Sequence, residues 1–260
     1  KIAKMLPKQR QTMLFSATMA KDMNTVARSF LQDPVRVEVA KAGKTADKIT
    51  QELHFIAKAD KAAKLLELLS CPEQRDDRAI VFGRTKHGME KLSKKLIASG
   101  IKAGSIHGNK SQPQRDKAIA AFKSGAIKVL VATDVAARGL DIPDVKRVFN
   151  FELPNVPEAY VHRIGRTARA GKEGAAITFC SVEEMEDLVD IQKVTGLKIP
   201  VASGTPWNMD DTKREKDKIK KNKQANQIQQ REARNRNKAK KQGGGSTDGG
   251  NTQRRFRGRS

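Results

Sequence analysis

From residue 51 onward the chain alternates short apolar runs with amphipathic segments, and this alternation restricts the possible folds more than any other feature. The runs are "ELHFIA", "AIVFG", "AGSIHG", "KVLVATD", "VKRVFNFE" and "GAAITFC", separated by helical patterns near residues 60–70, 86–99, 111–123, 156–168 and 182–195. Strands that are apolar along nearly their whole length must be covered on both faces. Their alternation with helices predicts an α/β fold, a parallel sheet with helices on both faces. Ligands of such sheets gather at the carboxyl ends of the strands, so the residues just past each run are where chemistry is expected. Ahead of this region, "QTMLFSAT" (11–18) predicts a buried strand, residues 20–31 a helix and "DPVRVEVA" (33–40) an alternating strand. The polar, aperiodic stretch 41–50 predicts a linker.

Charge narrows the class of partner. A formal charge of +23 on 260 residues favours polyanions, nucleic acid above all. Nearly half of that excess lies in 203–260, where 17 lysines and arginines face 6 acidic residues and the apolar content collapses. Such a segment buries too little to fold, so a disordered basic tail is expected, with "GGGSTDGG" as a spacer and "RRFRGRS" as an Arg/Gly ending. It suits a nonspecific tether for nucleic acid. No run approaches the length of a membrane span and no signal peptide is visible, so no membrane role and a cytoplasmic setting are expected. Cys71 and Cys180 lack metal-ligand spacing and read as ordinary residues. The first residue is Lys1, and a missing upstream segment is the expectation that follows.

Three strand ends carry polar groups suited to a phosphodiester backbone. "IVFGRTKHG" places Arg84, Thr85 and Lys86 after one strand. "SIHGNKSQPQR" offers Gly108 for close backbone approach, Ser111 as a helix cap, and Gln112 and Arg115 in the first turn that follows, while His107 reads as structural. "VLVATDVAARGLDIP" ends at Thr133 and Asp134 and enters a loop with Gly139 and Asp141. Here a hydroxyl and a backbone amide suit phosphate, and the carboxylates suit hydroxyls or arginines. A capped strand-to-helix turn would look the same. Three such ends on one rim would form a groove with little sequence preference.

In "YVHRIGRTARAG" the arginines 163, 166 and 169 recur every third residue, a spacing that on a helix brings them to one face and one anion. Yet no loop to cradle a triphosphate accompanies them. The Gly43-Lys44-Thr45 triplet has Glu38 where a phosphate loop requires its first glycine, and "VEEMEDLVD" reads as an acidic amphipathic helix rather than a magnesium-binding carboxylate pair.

Taken together, "SAT", "IVFGRT", "HGNKSQPQR", "VATDVAARGLDIP" and "HRIGRTARAG" stand in the order and spacing that resemble DEAD-box ATP-dependent RNA helicases of superfamily 2 from residue 9 to about 200, with phrasing most similar to the bacterial RhlE-like branch. The resemblance implies two RecA-like domains closing on ATP and RNA. This chain would hold the end of the first (1–40), the linker (41–50), the whole helicase C-terminal domain (51–202) and the tail (203–260). The phosphate loop and the DEAD box, which bind most of the ATP and Mg2+, would lie upstream. By position, Arg166 and Arg169 resemble arginine fingers and, with Asp141 and Gly139, the nucleotide contacts. Arg84, Thr85, Gly108, Gln112, Arg115 and Thr133 resemble RNA-backbone contacts, and Ser16, Thr18 and His162 resemble residues that couple hydrolysis to closure. Arg163 is assigned to local structure. Ala168 stands where the family often has Gly, and a helical turn there would keep Arg166 and Arg169 on one face. The implied activity is RNA-dependent ATP hydrolysis with local duplex unwinding, the fragment alone being inactive. Partners would be RNA, largely independent of sequence, and ribosome or degradosome proteins through the tail. An RNA-binding module without ATPase activity is the alternative, and a DNA translocase a weaker one.

Overall fold

The structure is a computed structural model that describes residues 5–7, 9–16, 21–37, 49–74, 77–139, 145–169 and 172–208, with single positions as far as 217. Spatially the chain divides after Thr212, and the described residues fall almost wholly in the first of the two units. Seven strands form one sheet: β1 (Ile49–Phe55), β2 (Ala79–Gly83), β3 (Ala103–Ile106), β4 (Val129–Thr133), β5 (Arg147–Asn150), β6 (Gly174–Cys180) and β7 (Val201–Ser203). Their order is β3-β4-β2-β5-β6-β1-β7, and every pairing is parallel.

Burial along the strands follows their period of two. Ala79 and Val81 of β2, with Val129 and Val131 of β4, meet Leu65 and Leu69 of α2 (Lys61–Leu69) and Met89, Leu92 and Leu96 of α3 (Lys86–Ala98). The alternate residues Ile80, Phe82, Leu130 and Ala132 face the other way, toward Phe122 of α4 (Gln112–Lys123) and Ala136 of α5 (Asp134–Ala137). On that second face Leu53 and Ala176 pack with Tyr160 of α6 (Pro157–Ile164) and with Leu188 and Ile191 of α7 (Met185–Thr195). Each fully buried aliphatic or aromatic side chain contributes about 1.5–3 kcal/mol, so these two layers supply the bulk of the driving force.

Local signals set the helix ends. Thr85 caps α3 by accepting a hydrogen bond from Gly88 N (3.1 Å), and the helix stops where Gly100 takes a φ of +81°. The amide of Ser111 donates to Gln114 Oε1 (3.0 Å) at the start of α4, one arm of a capping box.

Several expectations change. The predicted strands over 11–18 and 33–40 do not form within the described residues: α1 (Lys21–Phe30) is helical as expected, but 10–16 and 34–37 belong to no helix or strand. Met13, Phe15, Val35 and Val37 are exposed there, as apolar strand residues are when no neighbouring strand pairs with them. Helix α6 ends at Ile164 rather than 168, so only Arg163 of the three arginines is helical. Ala168 is not in a helical turn but in the left-handed region with a φ of +54°, a conformation that glycine adopts at the least cost. Beyond β6, the chain stays ordered past residue 203: the Trp207 indole donates to Cys180 O (3.4 Å) and packs on the core.

At the carboxyl end of the sheet lies a buried ion pair. Lys61, 2% exposed, donates to Phe151 O (3.0 Å), Phe179 O (3.3 Å) and the Glu184 carboxylate. Glu184 also accepts from Leu153 N and from the amide and hydroxyl of Ser181. Removing one partner strands the other charge, so Lys61→Met should lower unfolding stability by about 3–5 kcal/mol, with much of the loss recovered in Lys61→Met/Glu184→Gln; urea denaturation measures both. At Ala168, 8% exposed, two effects oppose each other. Glycine relieves about 1–2 kcal/mol of left-handed strain but forfeits about 0.8 kcal/mol of methyl burial and adds unfolded-state entropy. Ala168→Gly is therefore expected within about 1 kcal/mol of the parent, whereas Ala168→Val, a branched residue at positive φ, should destabilise by more than about 1.5 kcal/mol in the same assay.

Candidate functional site

Because all strands are parallel, the loops after β2, β3, β4 and β5 leave the sheet at one edge. The registers Gly83↔Thr133 and Ile106↔Ala132 align the ends of β2, β4 and β3, with neighbouring strands about 4.8 Å apart. Thr85, Thr133 and the His107–Gly108 loop are thereby brought onto one stretch of rim. Thr133 is 8% exposed and is the N-cap of α5, without a side-chain capping bond. Gly108 is exposed, and a methyl group added to it would touch nothing within 4 Å, so its surface is open to an approaching backbone.

Arg115 and Gln112 stand beside this stretch. Arg115 Nη2 donates to Ala136 O (3.2 Å), tying α4 to α5, and its Nη1 donates to Gln112 Oε1 (3.3 Å). The amide of Gln112 donates to Asp116 (2.7 Å). Arg115 Nε is buried without a hydrogen-bond partner. Arg84 differs from the others. Its guanidinium turns to Leu153 O and to Asp187 (2.7 Å), and its amide donates to Glu152 Oε2 (2.6 Å), so the side chain staples the end of β2 to α7.

His107 is structural, as its sequence context implied. It is 3% exposed, and its Nε2 meets Glu90 at 3.0 Å. Glu90 of α3 also accepts from Ser105 (2.8 Å) and pairs with Lys110 (3.0 Å). The hydrogen bonds from His107, Ser105 and Lys110 hold its carboxyl down to about 2. Glu90 thus fixes the loop that carries Gly108, and no sequence signal pointed to it, because its partners come from β3 and the loop after it, fifteen and more residues away.

The arginines of "HRIGRTAR" separate. Arg163 is 1% exposed and grips Asp134 with two hydrogen bonds (Nε–Oδ1 2.7 Å, Nη2–Oδ2 2.9 Å). Its Nη1 donates to Asn150 (3.2 Å) and Glu152 O (2.6 Å), and the guanidinium lies over the Phe82 ring at 5.3 Å. It is a core residue. Arg166 lines a cleft between α5 and α6 with Arg138, Ala137 and His162, and the Arg163–Asp134 pair forms part of the same wall. Arg169, past the end of the helix, donates from Nε to Gly165 O (3.1 Å).

His162 Nε2 is buried and has no hydrogen-bond partner, and burial first, then Arg138 and Arg166, lowers the imidazole below its ordinary value. An orphaned neutral imidazole beside two guanidinium groups suits an anionic or hydrogen-bonding partner brought in from outside, and a nucleotide phosphate fits that description. Gly139, at a φ of +73°, is exposed at the end of the same loop. Ser16 is exposed; Thr18, Asp141 and the Gly43-Lys44-Thr45 triplet lie outside the described residues. Among the described residues no group of His, Cys, Asp and Glu is arranged to hold a metal, no helix is long and apolar enough to cross a membrane, and Cys180 is a free buried thiol pushed up to about 12 by burial.

These shifts set a pH dependence. His54 and His162, both lowered chiefly by burial, bind protons less readily in the fold than in the unfolded chain, where the ordinary value is 6.5, so stability is lost as pH falls through that value. The contribution of Glu90 is present above its ordinary 4.5 and is lost as pH falls toward 2. Denaturation midpoints should be level above about pH 7, decline below about 6.5 and fall further below about 4.5; a level profile from pH 7 to 5 would contradict the histidine assignment.

Comparison with known proteins agrees with this arrangement. Residues 60–171 match the helicase conserved C-terminal domain family. The DEAD-box ATP-dependent RNA helicase CshA of Geobacillus kaustophilus is 45% identical over 197 residues, covering 75% of this chain and 41% of that protein. The chain thus spans about two fifths of the length of the curated relatives it matches. Among solved structures, S. cerevisiae Dbp5 bound to RNA and ADP BeF3 superposes with a TM-score of 0.70 at 34% identity, over 78% of this chain and 54% of that one. The E. coli DEAD-box protein SrmB, solved bound to the regulator of ribonuclease activity A, gives a TM-score of 0.55 at 39% identity, over 61% of this chain and 92% of that one. The parallel sheet, the polar rim and these likenesses have one explanation: the chain belongs to the DEAD-box RNA helicases and carries their RecA-like C-terminal helicase domain.

Proposed function

We propose that the chain is the C-terminal part of an ATP-dependent RNA helicase, binding the RNA backbone along its rim and presenting Arg166 and Arg169 to the phosphates of an ATP held mainly, with its Mg2+, by a first RecA-like domain. The observation that carries the reading is the cleft itself: Arg163 is buried against Asp134 in its wall, and Arg166 and Arg138 line it beside the buried, unpartnered Nε2 of His162. In this reading Gly108, Thr133, Thr85, Gln112 and Arg115 meet RNA phosphates and sugars, and Arg84 holds the rim by its inward staple. Asp141 and Gly139 take the nucleotide, and Ser16, Thr18 and His162 link closure to hydrolysis. Residues 1–40 belong to the first domain, the chain from 41 joins the two as far as Ile49, where the sheet of the second opens rather than at 51, the second runs past 202 to include β7 and Trp207, and the basic tail tethers RNA in the cytoplasm.

The physical logic is a shared site. Phosphoryl transfer depends on positioning and charge neutralisation, and an arginine supplied across a cleft is worth about 10³- to 10⁵-fold in rate. With that arginine on a separate domain, hydrolysis waits on closure. RNA that touches both domains favours closure, so RNA and ATP bind with positive coupling. In a protein joining this chain to its first domain, Arg169→Ala should lower kcat for RNA-stimulated ATP hydrolysis by at least about 10³-fold while the Kd for single-stranded RNA stays within about threefold. The 260-residue chain alone should bind that RNA without turning over ATP. Equal loss of binding and turnover in the variant, or turnover by the chain alone, would refute the reading.

A further inference from the structure

Beneath α6 the sheet carries polar side chains where its period calls for apolar ones. Asn150 of β5 and Thr178 of β6 stand opposite one another in the parallel register, and both, like Tyr160 of α6, are 0% exposed. The cluster around Tyr160 is otherwise apolar, with Leu53, Ile164, Ala176 and Leu188. For packing alone Leu, Val and Phe would fill such positions, because a buried hydroxyl or amide costs stability unless it is hydrogen-bonded.

The bonds these groups make form a single chain. Arg163 Nη1 donates to Asn150 Oδ1 (3.2 Å), Asn150 Nδ2 donates to Thr178 Oγ1 (3.2 Å), and the Tyr160 hydroxyl donates to Gln51 Oε1 (2.8 Å). The Thr178 and Tyr160 hydroxyls meet at 3.4 Å. A guanidinium can only donate, which fixes the orientation of the Asn150 amide. With the phenolic proton on Gln51, Thr178 donates to Tyr160, so all four links point the same way, from Arg163 to Gln51. Burial pushes the Tyr160 phenol up to about 12, against the pull of Thr178, so it keeps its proton. Hydrogen bonds aligned in this way polarise one another, and a change at one end is felt at the other.

Both ends of the chain matter. At one, Arg163 grips Asp134, the first residue of α5, and Ala137 and Arg138 follow it along the cleft. At the other is Gln51, half-buried on β1 two residues after Ile49, where the sheet begins. Pinning α6 to β5 and β6 needs only Arg163, Asn150 and Thr178. The further bond to Gln51 carries the chain to the strand that the linker enters.

We infer that Asn150, Thr178 and Tyr160 are positioning residues: through this chain they couple the Arg163–Asp134 wall of the cleft, and with it Arg166, to β1 and so to the linker from the preceding domain. The inference rests on the proposed reading of the cleft. All three lie behind the wall and act on the nucleotide only through Arg163. Closure of the two domains pulls on the linker, and the chain conveys that pull to the arginines.

Two measurements test this. In the 260-residue chain, the Arg163 Nε–H bonded to Asp134 gives a nitrogen–proton NMR signal whose exchange with water reports the state of the wall. Tyr160→Phe and Gln51→Leu remove the two partners of one link, and each should speed that exchange by at least about threefold, with the double variant no faster than either alone. Gln51→Glu still accepts the phenolic proton and should match the parent. So should Thr195→Val, which removes a hydroxyl bonded to Ile191 O on α7, away from the chain. In a protein joining this chain to its first domain, both cutting variants should lower kcat for RNA-stimulated ATP hydrolysis by about three- to thirtyfold with KM for ATP within about twofold, and Gln51→Glu should restore it. Unaltered Arg163 exchange in the cutting variants, effects that add in the double variant, or equal loss in Gln51→Glu and Gln51→Leu overturns the chain as a coupling. Altered exchange with unaltered kcat overturns its part in catalysis. Absence of RNA-stimulated hydrolysis in the joined parent overturns the reading of the cleft instead, while the NMR result still decides whether the chain couples β1 to Arg163. Gln51 is half-buried at the end of the chain, so its variants give the answer even if Tyr160→Phe does not fold.

Discussion

The pair between Arg163 and Asp134 holds together the part of the molecule on which everything else is mounted. Arg163 comes from α6 and Asp134 from the first turn after β4; Asn150 and Glu152 O come from the end of β5, and the Phe82 ring beneath the guanidinium from β2. One buried side chain therefore fixes four elements where they converge at the carboxyl edge of the sheet. A charge 1% exposed survives there only because nearly every direction around it is answered: two carboxylate oxygens, an amide oxygen, a carbonyl and a ring face. The geometry is specific to arginine. A lysine ammonium has no planar fork to meet both oxygens of Asp134 while stacking on Phe82.

The neighbouring cleft inherits its character from that pair. With Asp134 gripped by Arg163, Arg138 and Arg166 flank His162 in the cleft, and burial first and then the two arginines lower its imidazole against the opposing pull of Glu158 and Asp134. The same economy appears on the other side of the rim, where Glu90 is satisfied by Ser105, His107 and Lys110, and at Lys61 and Glu184, which close the ends of β5 and β6. Acids on this edge are turned inward and matched, and the cations that remain face outward. That division lets a rigid sheet present a positive rim without leaving unpaired charge in its core.

Much of the second domain was legible in the sequence for a simple reason. Strands buried on both faces have to be apolar at every position, and the runs "AIVFG" and "GAAITFC" coincide with β2 and β6 to the residue. The motif ends were legible too, because parallel strands expose their loops at one edge. What failed were features set by neighbours. The segments 11–16 and 34–37 have the composition of strands but no strand to pair with among the described residues. β7 is too short and too exposed to announce itself, and exists because Leu53 N finds Pro200 O beside it. The three-residue arginine spacing suggested one helical face, but the helix stops at Ile164, and Ala168 turns the chain through the left-handed region.

By itself the sequence determined the sheet, the two helical layers, the rim residues and the family, since hydrophobic periodicity and the ordered motifs are local properties of the chain. Only the tertiary structure decided which polar groups are buried against one another and which line the cleft. Arg84, Arg163 and Arg166 look alike in sequence, and Glu90 looks like any helix-surface acid. Their roles diverge because Asp187, Asp134 and the β3 loop arrive from distant parts of the chain, and a charge buried in a low-dielectric setting must be matched by whatever the fold places beside it.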